Sequence, residues 1–205
     1  LHGASTAWRV LLCLWLALWL ASPGSSAQAA PPALVLDDRQ PTHDVWPALT
    51  MLSDPGREHT AETLLTNAPA FAPMPPAKGT LGVRSEAVWL RAALVLAPGS
   101  DTRWVLDIDY APLNRIDVHL ATGGRVVQQA TLGNTQPFTQ RPLHSRSHAV
   151  VLNLEPGVRH ELLLRVQAQG AMILPITLNT PPRLIERALD EQMLQGVLTG
   201  LALCL

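Results

Sequence analysis

Residues 88–96 read VWLRAALVL, residues 103–110 RWVLDIDY and residues 115–120 RIDVHL. In the first run Val88, Leu90, Ala92, Leu94 and Leu96 fall on one side, and Trp89, Arg91, Ala93 and Val95 on the other. In the second, Trp104, Leu106, Ile108 and Tyr110 oppose Val105, Asp107 and Asp109; in the third, Ile116, Val118 and Leu120 oppose Asp117 and His119. Side chains that change sides at every step are the mark of a β-strand. Pro98-Gly99-Ser100-Asp101 closes the first run, and Gly123-Gly124 reads as a hairpin turn into a strand over Arg125 to Leu132.

Further strands are expected over His148 to Leu154, Glu161 to Gln167 and Ile173 to Asn179, with Pro156-Gly157 between the first two. Strands roughly every 8 to 12 residues with Gly/Pro turns predict an antiparallel sandwich or barrel. No strand alternates with an amphipathic helix, so a parallel α/β sheet is not expected. Upstream, ALVLDD (33–38) reads as a first strand and Asp54-Pro55-Gly56 as a turn. TAETLLTN (60–67) reads as a short helix with Thr60 as N-cap. Residues 67–79 carry Pro69, Pro73, Pro75 and Pro76 and read as an irregular crossing loop. Downstream, Pro182 to Gln195 (PRLIERALDEQMLQ) is the one long helix expected, with Pro182 suited to its first turn.

The ends differ from the middle. Val10 to Ala21 is an unbroken apolar run after Arg9, followed by Pro23-Gly24 and by Ala27-Gln28-Ala29. A bilayer core takes roughly 20 apolar residues to span. The run is short for that, and residues 1–29 read as a signal peptide cleaved after Ala29, an uncleaved anchor being the alternative. Residues 193–205 (MLQGVLTGLALCL) contain no charge, and Gly196 and Gly200 are of a kind frequent in membrane helices. They are expected to be the start of a truncated first transmembrane helix; a core helix is the alternative. Residues 30–181 are then an exported β-sandwich, joined to the membrane by a connecting helix over 182–192.

Composition narrows the function. The chain has 205 residues, 15 Lys+Arg against 16 Asp+Glu, 47% hydrophobic and 15% charged residues. The balanced charge gives no general attraction to nucleic acid. Cys13 lies in the leader and Cys204 in the apolar tail, so no disulfide framework holds the domain between. There is no phosphate-binding Gly-rich loop, no GxSxG, no HExxH and no CxxC. Asp107 and Asp109 share one strand face at a spacing near that of a glycosidase pair or a cation site, but a solvated face beside Arg103 or Arg115 explains them as well. His144 and His148 flank Ser145-Arg146-Ser147; entering a strand, they stand too far apart for one zinc. No catalytic residue, metal site or cofactor is expected.

The loop 136–144 is long and polar, with Phe138, Arg141 and His144 between two strands. An aromatic ring that stacks and a guanidinium fork that pairs with oxygens can together hold a small polar ligand. Trp89 and Arg91 share a face of their strand because they stand two apart. Trp89, Arg91, Arg141 and His144 are therefore expected to converge on one sheet face as a ligand site. The alternatives are a buried core Trp89 and an Arg141 paired with Asp107 or Asp109.

Several segments together resemble a known family. They are 87–91 (AVWLR), 104–109 (WVLDID), 113–118 (LNRIDV), 137–143 (PFTQRPL), 163–166 (LLRV) and 174–178 (LPITL). In order and spacing this set resembles the type 2 extracellular domain of bacterial seven-transmembrane receptors with diverse intracellular signalling modules, from about Ala33 to Asn179. The resemblance implies a periplasmic jelly-roll sandwich like a carbohydrate-binding module. It implies a non-enzymatic sensory role, coupled through the inner membrane to a histidine kinase or a cyclic-dinucleotide enzyme. The expected partners are a small polar or carbohydrate-like ligand, the inner membrane and, as a further mode of response, a second copy in a homodimer. A secreted carbohydrate-binding module without signalling is the competing reading.

Overall fold

The computed structural model describes residues 32–204 apart from Ala68; the leader assigned to residues 1–29 lies outside the described residues. Leu34–Leu36 (β1), Thr42–Asp44 (β2) and Thr50–Asp54 (β3) are followed by the helix Ala61–Asn67 (α1) and by Ala72–Pro73 (β4) and Thr80–Val83 (β5). The longer strands are Ala87–Leu96 (β6), Arg103–Ile108 (β7), Arg115–Thr122 (β8), Arg125–Leu132 (β9), His148–Asn153 (β10) and Arg159–Gln167 (β11). Ala171–Ile173 (β12), Ile176–Asn179 (β13) and the helix Pro181–Cys204 (α2) complete the chain.

The strands form a seven-stranded sheet, β4-β3-β6-β11-β8-β9 with β1 added beside β6, a four-stranded sheet in the order β10-β7-β13-β2, and a small β12-β5 pair. All pairings are antiparallel except one. β1 runs parallel to the far half of β6, Leu34 to Leu36 against Leu94 to Leu96, while β3 pairs the near half. The β8–β9 hairpin turns at Gly123 and Gly124, with φ of 57° and 76°. Two successive positive φ values give the turn whose twist matches that of the strands it joins.

The core lies between the two larger sheets. Val88, Leu90, Ala92 and Leu94 of β6, Ile116, Val118 and Leu120 of β8, and Leu162, Leu164 and Val166 of β11 line the seven-stranded side. Trp104, Leu106 and Ile108 of β7 meet them with Val150, Leu152, Ile176 and Leu178. Each large apolar side chain fully buried here contributes about 1.5–3 kcal/mol. The inward sets of β6, β7 and β8 are those the alternation predicts, so the fold is mostly antiparallel β.

The outer face of the seven-stranded sheet carries a smaller cluster. Ala61 and Leu64 of α1 cover Trp89 and Leu163, with Leu52, Leu65, Phe71 and Val126 packed around them. Thr60 opens α1 as the sequence predicts, its hydroxyl accepting from the Thr63 N–H at 3.3 Å. On the outer face of the other sheet, α2 begins one residue after Thr180, whose carbonyl accepts from the Leu184 N–H at 3.2 Å. Pro181 and Pro182 fill the first turn, where a missing N–H leaves nothing unpaired. From Met193 onward α2 stands free: Met193, Leu194, Val197, Leu198, Leu201 and Leu203 are all exposed. No helix among the described residues is long and apolar enough to cross a membrane.

Candidate functional site

Among the described residues, each outer face of the sandwich carries a cleft. The first lies on the four-stranded sheet, where α2 and the β9–β10 crossover enclose about 400 Å³. Asp107 of β7 and Asp109 just beyond its end both line it, as their shared parity requires. Arg187 of α2 reaches both, at 3.4 Å and 2.5 Å, and its Nε donates to Glu191 at 3.3 Å. Arg146 of the crossover donates to the other Glu191 oxygen at 2.8 Å. Asp107 is almost wholly buried and its Oδ1 has no hydrogen-bond partner. Burial raises its carboxyl above the usual carboxylate range, against the pull of Ser147 and Arg187. The acid pair is thus neither a solvated face nor a pair with Arg103, Arg115 or Arg141; it docks α2.

The second cleft lies on the outer face of the seven-stranded sheet and encloses about 630 Å³. Its floor follows from strand register. Leu52, Trp89, Arg165, Asp117 and Thr131 form one row across β3, β6, β11, β8 and β9. Arg91, Leu163, His119 and Gln129 form the next. The first row runs from apolar at β3 and β6 to polar at β9; in the second, Leu163 lies under α1 between Arg91 and the polar pair His119 and Gln129. One wall is the loop after β3, and Asp54 shapes it. This buried carboxylate accepts from the Glu58 and His59 N–H groups at 3.0 and 3.4 Å and from the Trp89 indole at 3.2 Å. The fold of that loop sets Arg57 at φ 56°, the one non-glycine residue with positive φ among those described.

Within the cleft Asp117 takes three hydrogen bonds. It accepts from Arg115 Nε at 3.0 Å on both oxygens and from the Thr131 hydroxyl at 3.0 Å. Arg165, mostly buried, faces it at 3.6 Å, which is beyond hydrogen-bond reach. The His119 ring lies 5.9 Å from the Trp89 ring, and its Nδ1 is buried without a partner.

With this geometry in view, the chain can be compared with known proteins. Residues 47–180 match the model of the 7TMR-DISM extracellular 2 family. The chain belongs to that family. The match runs from the residue after Trp46 to the start of α2, so it covers the sandwich apart from β1 and β2. The extracellular 2 domain is a sensor domain of the extracytoplasmic side of membrane receptors, in agreement with the resemblance read from the sequence. None of the curated proteins matches the chain. Among solved structures, a candidate beta-galactosidase from Bacteroides fragilis shares 8% identity at a TM-score of 0.41, over 67% of this chain and 22% of its own. A beta-glucuronidase from Ruminococcus gnavus, solved with an N1-substituted uronic isofagomine, shares 11% identity at a TM-score of 0.38, over 65% of this chain and 30% of its own. This chain thus spans less than a third of either, and so loose a likeness bears on neither activity nor ligand.

The extracellular 2 domain does not gather the four expected site residues at one place. Trp89 and Arg91 lie on the outer face of the seven-stranded sheet, Arg141 and His144 in the crossover beside the other sheet. Trp89 is 1% exposed beneath α1 and offers no stacking surface. Arg91 pairs with Glu161 at 2.5 Å and lies over the Phe71 ring at 5.7 Å. Arg141 packs over Phe138 at 5.3 Å and donates to the Ser145 carbonyl at 3.3 Å, with its Nε buried and unpaired. His144 stacks on Phe138 at 5.3 Å and lines the first cleft. The expected convergence fails because the crossover folds on its own aromatic ring instead of reaching across the sandwich. The residues sequence reasoning passed over are Arg165, Asp117, His119 and Arg187. The outward parity of Asp117 and His119 was a legible signal, whereas the register that sets Arg165 beside Asp117 was not. Among the described residues no group of three or more His, Cys, Asp and Glu is placed to hold a metal.

Two histidines make the stability of this extracellular 2 domain depend on pH. Burial holds the imidazoles of His119 and His148 below the ordinary 6.5, against the opposing charges of Asp117 and Glu62 at one and Asp107 at the other. The unfolded chain therefore binds these protons first as pH falls. Stability is fully present above 6.5 and is lost below it, down to the depressed values. Asp107 acts with the opposite sign: its raised value favours the folded state as pH falls toward 3.8. The melting temperature is expected to drop between about pH 7 and about pH 5. The double variant His119→Gln/His148→Gln should flatten that drop; a drop unchanged in the double variant assigns it to other groups.

Proposed function

We propose that residues 30–181 are the periplasmic, ligand-sensing part of a bacterial inner-membrane receptor, built as a jelly-roll sandwich like a carbohydrate-binding module. Residues 1–29 export it, residues 182–192 connect it, and the apolar turns from Met193 enter the membrane. The ligand is small and polar, and the signal passes through membrane helices to a cytoplasmic kinase or cyclic-dinucleotide enzyme. The segment itself is non-enzymatic. One observation carries this reading: α2 is a single helix whose first turns are bound to the sheet through Arg187, Asp107 and Asp109, and whose last turns expose a run of large apolar side chains. Such a surface is costly in water and is at rest in lipid. A secreted module would have to cover it with protein.

The test is a fusion after Asn179 expressed in a bacterial host. An alkaline phosphatase, which is active only after export, is expected to be active there, and a β-galactosidase reporter inactive. The reverse pattern places the sandwich in the cytoplasm and removes the reading.

A further inference from the structure

The geometry points to the cleft on the seven-stranded sheet as a binding site for a small carboxylate, with Arg165 as its anchor. The inference rests on the sensory reading above and names the ligand chemistry. A guanidinium offers five N–H donors in a planar fork that matches a carboxylate. Arg165 is mostly buried, yet its one acidic neighbour stands at 3.6 Å. That neighbour, Asp117, already accepts three hydrogen bonds from Arg115 and Thr131. The fork makes no hydrogen bond of its own among the described residues and lines the cleft, so its donors are open to a bound anion.

Three further observations agree. The lining holds three guanidinium groups, Arg57, Arg115 and Arg165, against two carboxylates, Asp117 and Glu62, an excess of one positive charge with the histidines neutral. His119 adds a buried nitrogen without a partner in the same wall. Arg57 is held at a positive φ, a conformation that costs a non-glycine residue about 1–3 kcal/mol and persists where the surroundings impose it. The Asp54 carboxylate imposes it here by binding the two N–H groups that follow. The volume, about 630 Å³, lies within the usual range for small-molecule sites.

The test is a calorimetric titration of the whole chain, held in detergent micelles, with D-galacturonate and with D-galactose. The two sugars differ in the carboxylate and share the ring. Galacturonate is expected to saturate and to raise the melting temperature, with galactose at least tenfold weaker. Arg165→Gln and Arg165→Lys are each expected to weaken galacturonate tenfold or more, since Lys keeps the charge and loses the fork. Arg159→Gln, outside both clefts, should change nothing. If Arg165→Gln fails to fold, the exposed Arg57→Ala reports instead, with a smaller loss. Equal binding of both sugars, galacturonate binding that survives the Arg165 variants, or no heat and no thermal shift with galacturonate overturns the proposal. None of these outcomes changes the reporter pattern, and a reversed reporter pattern with galacturonate bound removes the sensory reading while leaving the site.

Discussion

Gly133→Ala is expected to destabilise the sandwich by about 3 kcal/mol or more, because it adds backbone strain to a steric clash. Gly133 follows β9 at φ 126°, a region essentially closed to residues with a Cβ. A Cβ there would overlap the Asn114 carbonyl oxygen and stand 2.8 Å from the Arg115 Cα. Both are backbone, so no side chain can swing aside. The approach is close because the chain after β9 bonds back to the chain before β8: the Asn134 N–H donates to the Leu113 carbonyl at 2.9 Å and the Thr135 N–H to the Asn114 carbonyl at 3.3 Å. Denaturant unfolding measures the cost, and Gly124→Ala is the control. Gly124 also has positive φ, 76°, but nothing lies within 4 Å of its Cβ position. It should lose only about 1 kcal/mol. Equal losses at the two sites would mean that the contact with Asn114 has no energetic weight.

Trp104→Ala is expected to cost about 3–5 kcal/mol, the usual range for emptying a buried aromatic site. Trp104 is fully buried between the sheets, donates its indole N–H to the Asp101 carbonyl at 3.0 Å and meets the His43 ring edge-on at 5.3 Å. Trp104→Phe retains most of the packing and loses the hydrogen bond, so it should cost less than the alanine. A thermal midpoint unmoved by Trp104→Ala would show that this face of β7 is not the centre of the core.

Much of this architecture is legible in the alternation of β6, β7 and β8, because one buried face imposes a period of two on any strand that lines it. The short strands β2, β3 and β5 are not legible. They carry few inward side chains, and β2 and β5 form only because distant strands, β13 and β12, supply their partners. The strand expected over 173–179 breaks at Leu174-Pro175 into β12 and β13, which join different sheets. Face assignments at the sites were also within reach: Trp89 and Arg91 do share one side. What covers that side was not, since neither α1 over Trp89 nor Glu161 beside Arg91 follows from local pattern. The contact of Arg187 with Asp107 and Asp109 belongs to the same class. It depends on where a helix lands on a sheet, and no spacing within either element encodes that.

The unbroken course of α2 has a mechanical consequence. From Arg187 to Cys204 the helix rises about 1.5 Å per residue, so its far end projects about 25 Å beyond the ion pair that holds it. A rod of that length magnifies small rotations at its base: a tilt of about 10° around Arg187 swings the other end through about 4 Å. Three acids, Asp107, Asp109 and Glu191, pull on the one guanidinium at the pivot. Neutralising any of them shifts the balance of forces there, and the lever turns that shift into a stroke on the scale of a helix radius.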